Sequence, residues 1–194
     1  MALNSSAILE LFKKSGALLE GHFVLRSGLH SSHFFQCARL GEHLDIIEQL
    51  VAELLAKWEQ SAKGVTFDTV LAPAIGALVL GQELARQAKK RFIFAEKDKD
   101  GCLELRRGFQ VAPGERVLIV EDVVTRGGRI KECIAIVDEC GGKPVGVTVL
   151  VDRSRGKADL NIKTVPLICL DFPTFTKDAL PSRLQSIPAV KPGS

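Results

Sequence analysis

Residues 117–129 read Val-Leu-Ile-Val-Glu-Asp-Val-Val-Thr-Arg-Gly-Gly-Arg. Four apolar residues run into two adjacent carboxylates, followed by two valines, a threonine, an arginine and a Gly-Gly pair. Ile130, Cys133, Ile134 and Val137 then recur at helical spacing. The order predicts a buried strand, a loop of phosphate size and a helix start. A helix start offers free backbone N–H groups and the positive end of a dipole. Glycines let that backbone curl closely around an anion. Glu121 and Asp122 would repel a phosphate in direct contact, so they suit sugar hydroxyls or a cationic centre. The stretch points to a ribose phosphate. Acids that merely cap a turn, beside glycines that merely connect, explain a lone Gly-Gly equally well. The full pattern is more specific than that.

Working outward, the chain alternates strand and helix. Upstream, short strands are expected at 68–72, 91–95 and 116–120, with a helix over 76–90 that turns Leu80, Leu84 and Ala88 inward. Downstream, a helix over 128–140 is closed by Gly141-Gly142, and strands follow at 145–151 and 165–170. The run Val-Gly-Val-Thr-Val-Leu-Val at 145–151 is apolar on both faces, as in a parallel sheet covered by helices. Ile47, Leu50, Val51, Leu54, Leu55 and Trp58 mark an amphipathic helix. Ser5 and Ser6 are candidate caps for a short first helix carrying Ile8, Leu11 and Phe12. Residues 22–25 and 33–37 read as two strands joined near Ser27-Gly28. The alternation predicts one α/β domain, doubly wound, with a mainly parallel central sheet flanked by helices and a small N-terminal addition. Residues 96–115 are charged and non-periodic, the character of a functional lid or a disordered loop.

The chain has 194 residues, enough for one well-formed core, and 46% hydrophobic and 25% charged residues place it among soluble globular proteins. A formal charge of +3, with both signs mixed, gives no argument for nucleic acid. No secretory leader or membrane span is expected. Cys37, Cys102, Cys133, Cys140 and Cys169 are scattered, as expected of free, mostly buried thiols in a reducing, cytoplasmic setting. His22, His30, His33 and His43 match no familiar zinc spacing.

The segment 117–129 resembles the phosphoribosyl-diphosphate motif of the type I phosphoribosyltransferase family. Gly16-Ala17-Leu18-Leu19-Glu20-Gly21-His22-Phe23, Ser27-Gly28-Leu29-His30-Ser31 and Phe34-Phe35-Gln36 resemble the N-terminal hood of the branch that acts on orotate. Leu105-Arg106-Arg107-Gly108-Phe109, Pro113-Gly114-Glu115-Arg116 and the tail at 188–193 extend the likeness over nearly the whole chain. The resemblance implies one phosphoribosyltransferase domain over 1–194, with a hood at about 16–40 plus the tail and a core at about 44–172.

It also implies a reaction: transfer of the phosphoribosyl group of 5-phosphoribosyl 1-diphosphate to orotate in pyrimidine nucleotide synthesis. Mg²⁺ is the implied cofactor, held mainly by diphosphate and ribose and not by a protein ligand set. The implied contacts to phosphoribosyl diphosphate are Arg26, Glu121, Asp122, Val123, Val124, Thr125, Arg126, Gly127, Gly128 and Arg129. Those to orotate are Phe34, Phe35, Thr125 and Arg153, whose forked guanidinium suits a carboxylate. For Arg153 the alternative is an ion pair with Asp152 or Asp159. Catalytic roles fall to Lys97, Lys99, Glu121 and Asp122, with the 96–108 loop closing over the diphosphate and, in a homodimer, reaching the neighbouring site. A solvated charged hairpin is the alternative for that loop.

Three departures from the family pattern stand out. Arg26 and Gly76 replace lysines common in the family, and the 96–108 loop lacks a histidine found in well-known members. Within the motif, Arg126 and Arg129 replace small or hydroxyl residues, and at least one of them is expected to grip the 5′-phosphate. Competing readings are a phosphoribosyltransferase for another base and a non-catalytic binder of phosphoribosyl diphosphate.

Overall fold

A computed structural model describes residues 3–25 and 27–192. Helix α1 (Ser5–Lys14) is followed by β1 (Leu18–Val24), β2 (His30–Phe35) and α2 (Leu44–Ser61). Then come β3 (Thr69–Pro73), α3 (Leu78–Ala88), β4 (Arg91–Lys97), β5 (Leu103–Leu105) and β6 (Arg116–Val124). The chain ends with α4 (Gly128–Glu139), β7 (Lys143–Asp152), β8 (Thr164–Cys169), β9 (Thr174–Phe175) and α5 (Ser182–Gln185).

The main sheet has the order β5-β4-β3-β6-β7-β8. Its strands are parallel except β5, which runs antiparallel along the edge of β4. Residues on the two faces of β6 part into two cores, as strand alternation requires. Leu118 and Val120 pack with Leu50 and Leu54 of α2 and Leu80 and Leu84 of α3. Val117 and Ile119 pack with Ile130, Cys133 and Val137 of α4. Helices thus cover both faces, and β7 is buried without a break from Gly146 to Val151. The chain leaves β3 towards β4 on one side and leaves β6 towards β7 on the other. The strand order therefore reverses between β3 and β6, where a crevice opens at the carboxyl ends.

A second sheet, β1-β2-β9, forms the hood. The third strand was not expected from the sequence, since Thr174-Phe175 is too short for a period to show. The tail joins this sheet: Val24 N–H donates to the Val190 carbonyl at 2.8 Å, and Val190 N–H to the His22 carbonyl at 2.8 Å.

Several local expectations are corrected. Asn4, not Ser5 or Ser6, caps α1, its Oδ1 accepting from Ala7 N–H at 2.8 Å. Strand β6 runs on through Val124, so Glu121 and Asp122 stand within the strand and not beyond it. Part of the segment 96–115 is ordered as the β4–β5 hairpin, because its edge position lets Ala95, Glu96 and Lys97 pair with Leu105, Glu104 and Leu103. Of the cysteines, Cys37 and Cys133 are buried, whereas Cys102 and Cys169 are exposed.

Candidate active site

The crevice is edged by three loops, after β3, β6 and β7. In the loop after β6, Lys131 N–H is the first to find an acceptor, the Gly127 carbonyl at 3.0 Å. Among the described residues, the N–H groups of 125–130 have no protein acceptor. Gly127 makes this possible. Its φ of +76° is left-handed, and a Cβ there would sit 2.6 Å from Leu160 Cδ2. In the loop after β3, Ala74 N–H is taken by Ala95, but those of Ile75, Gly76 and Ala77 are likewise free among the described residues. Two cradles of unpaired donors thus lie on adjacent strands, each leading into a helix. Exposed backbone donors in that arrangement attract anions.

Between the cradles stand the two acids. Glu121 is 8% exposed. Burial, then the Asp122 carboxylate beside it, pushes its carboxyl well above the usual range. Its Oε1 accepts from Asp122 N–H at 3.0 Å, and Asp122 Oδ1 from Val123 N–H at 2.7 Å. Asp122 leans over the loop after β3, where a Cβ at position 76 would overlap its Oδ2. Any larger residue at position 76 would require the Asp122 carboxylate to move aside.

On the β7 side, a cavity of about 220 Å³ is lined by Leu25, Leu29, Thr125, Arg153, Phe172 and Thr174, among others. Arg153 Nε is buried with no hydrogen-bond partner. Burial lowers the pKa of this guanidinium, an effect that Asp171 partly offsets. Neither Asp152 nor Asp159 pairs with it: Asp152 Oδ1 accepts from Ser154 N–H at 2.6 Å. Arg153 is half-buried as a whole, and a guanidinium whose Nε is buried and unpaired is costly unless a ligand anion meets it.

The remaining expected residues are placed as follows. Arg126 is exposed at the loop. Arg129 is taken up elsewhere, its Nη1 donating to Glu132 at 2.8 Å and to the Gly101 carbonyl at 2.9 Å. Lys97 and Lys99 are exposed on the β4–β5 hairpin. Phe35 is buried, edge-on to Phe12 at 5.5 Å, and Phe34 packs near Phe23 at 5.8 Å, so both rings serve hood packing. The expected contact Arg26 lies outside the described residues. Phe172 and Thr174, which line the cavity, escaped the sequence reading because no motif surrounds them.

A reversed strand order with an anion loop at the switch defines the class, and a family model described as "Phosphoribosyl transferase domain" matches residues 42–180. The chain belongs to that family, in its orotate phosphoribosyltransferase branch. It is 45% identical over 192 residues to the orotate phosphoribosyltransferase of Caldicellulosiruptor bescii, covering 99% of this chain and 98% of the relative. The crystal structure of orotate phosphoribosyltransferase from Aeropyrum pernix superposes with a TM-score of 0.72 at 27% identity, covering 84% of this chain and 93% of that one. Adenine phosphoribosyltransferase from Saccharomyces cerevisiae shares the fold alone, with a TM-score of 0.67 at 16% identity, covering 85% and 100%.

Proposed function

We propose that this chain transfers the phosphoribosyl group of 5-phosphoribosyl 1-diphosphate to orotate, giving orotidine 5′-monophosphate and diphosphate for pyrimidine nucleotide synthesis. The observation that carries the choice of base is the half-buried Arg153 beside Thr125, whose buried Nε has no hydrogen-bond partner. A neutral base would leave that cation with only the partial compensation of Asp171, whereas the orotate carboxylate meets it with a forked pair. The fold alone does not choose, since adenine enzymes share it.

In this reading the loop 125–129 holds the 5′-phosphate on its free N–H groups, with Val123 and Val124 leading into it. Arg126 adds charge from the exposed side of the loop. The loop after β3 receives the diphosphate, helped by Arg26. Glu121 and Asp122 take the ribose hydroxyls. As the bond from the anomeric carbon to the diphosphate oxygen breaks, its electron pair leaves with the diphosphate and the ribose becomes cationic. Both carboxylates then face developing positive charge. A ring nitrogen of orotate forms the new bond and loses its proton. Phe34 and Phe35 contribute backbone to the base, their rings being engaged in the hood.

Mg²⁺ fits the donors present. Among the described residues no three His, Cys, Asp or Glu side chains converge, but Mg²⁺ keeps water and binds through one or two carboxylates plus substrate phosphates. Asp122 and Glu121 are the carboxylates that would hold it through the ribose, and a bound ion would neutralise charge on the departing diphosphate. The hairpin around Lys97 and Lys99 brings cations to the same diphosphate and excludes water on closing. In a homodimer the 96–108 segment serves the neighbouring site. The whole of 1–194 works as one unit in the cytoplasm, and no described helix is long and apolar enough to cross a membrane.

The test is the loss of orotate absorbance on adding phosphoribosyl diphosphate and Mg²⁺ to the protein, with uracil and hypoxanthine as controls. Orotate alone should be consumed. Consumption of a control base instead, or of none, would overturn the reading.

A further inference from the structure

The cavity beside Thr125 has one aromatic wall, Phe172, and that ring is braced rather than loose. The imidazole of His33 lies flat against it, with centroids 4.0 Å apart and planes 10° apart. Phe35 packs at 5.9 Å from the same ring and carries the contact through to Phe12 in α1. His33 is itself fixed, its Nδ1 lying 2.9 Å from Ser32 Oγ. Burial lowers the His33 pKa, so near neutral pH the imidazole stacks as an uncharged ring. The guanidinium carbon of Arg153 sits over Phe172, 5.9 Å from the centroid. That separation leaves no room for a base between ring and cation. Phe172 therefore does not stack on substrate through that face; it supports Arg153.

The support matters because, among the described residues, no side-chain hydrogen bond orients Arg153. Its Nε is buried without a partner, and the nearby acid Asp171 is engaged by Arg155 at 2.6 Å. A side chain with no hydrogen bond to fix it keeps its direction only through packing and the attraction of a ring face. We propose that Phe172, braced by His33 and Phe35, is a positioning residue that sets the direction of the Arg153 guanidinium and thereby the preference for an anionic base. This rests on the assignment of the cavity to orotate.

The test is steady-state kinetics on Phe172→Leu, Phe172→Tyr, Arg153→Ala and the Phe172→Leu, Arg153→Ala pair. The Arg153 Nε–H resonance is followed in the proteins that retain the arginine. Leucine keeps apolar bulk but removes the ring face. KM for orotate should rise about five- to thirtyfold, the range a cation–π contact spans from half-exposed to desolvated. KM for phosphoribosyl diphosphate should stay where it was. Tyrosine should restore the parent value, and Phe172→Leu should add nothing once Arg153 is alanine. The Arg153 Nε–H resonance should move in the leucine variant and return in the tyrosine variant. An equal rise in both Michaelis constants, additive effects in the pair, or an unmoved resonance would overturn the inference. A parent protein that leaves orotate untouched refutes the reading of the cavity instead. The resonance does not depend on turnover and still decides whether Phe172 positions Arg153.

Discussion

Glu121 shows what a single residue gives up for function. It is buried within β6 beside another carboxylate, and its carboxyl is held above the ordinary value of 4.5. Over the pH range between those two values the folded chain keeps a proton that the unfolded chain has released. The stability tied to that proton is full below the unfolded value and is lost as pH rises through the folded one. Glu121→Gln removes the loss. The ligand-free variant should therefore melt above the parent at pH 8, by about 2–4 °C for each kcal/mol recovered, and the gap should close towards pH 4. Its affinity for phosphoribosyl diphosphate should fall at the same time. Melting curves across pH check this, and a variant no more stable than its parent at pH 8 would refute it. The acid pair was legible in the sequence because two adjacent carboxylates leading from an apolar run into a Thr-x-Gly-Gly loop form a pattern more specific than a capped turn. The degree of burial was not legible, since it depends on how far β6 extends.

At the level of elements, the hairpin and α4 are joined in a way that neither stretch announces. Glu132 Oε2 accepts from Leu103 N–H at 2.9 Å, while Arg129 bridges Glu132 and the Gly101 carbonyl. The helix that presents the free N–H groups thus also grips the hairpin that bears Lys97 and Lys99. Each such bond, charged on one side, contributes about 1.5–3 kcal/mol less the entropy of ordering the loop. Glu132→Ala should loosen the hairpin. Limited trypsin digestion should then cut faster after Lys97, Lys99, Arg106 or Arg107, and kcat should fall more than the affinity for orotate. Unchanged cleavage would mean that the grip does not hold the hairpin. Arg129 illustrates why such links escape a sequence reading. Its place in the motif argues for a phosphate contact, but its partner is the carboxylate one helical turn ahead, and the second partner is a carbonyl that only folding brings near.

For the whole molecule, the division of labour runs between two sheets. The main sheet presents the loops for the phosphates, and the hood closes the cavity with Leu25 and Leu29. The tail is a structural member of the hood: beyond the two bonds to Val190, His22 Nδ1 lies 2.9 Å from the Ile187 carbonyl and His22 Nε2 lies 2.7 Å from His30 Nδ1. Ending the chain at Ser186 should cost a few bonds of about 1 kcal/mol each. The variant should lose affinity for orotate while phosphoribosyl diphosphate still raises its melting temperature. If both ligands lose affinity alike, the hood is not the separate cover that the two sheets describe.

Local physics made much of this protein readable from its sequence. Continuous β-branched runs suit a strand covered on both faces, helical spacing places α2 and α4 against the sheet, and glycine at 127 allows a left-handed backbone that no other residue adopts as easily. Those rules act within a few residues, so the strand–loop–helix unit and its affinity for an anion are written in residues 117–129. Tertiary structure alone decided what long-range contact decides. It extended β6 through the acids, set Gly76 against Asp122, engaged Arg129 with the hairpin, and left the Arg153 Nε buried without a partner, with the guanidinium over Phe172. Each of these depends on residues far apart in the chain meeting at one strand end, which spacing along the sequence does not encode.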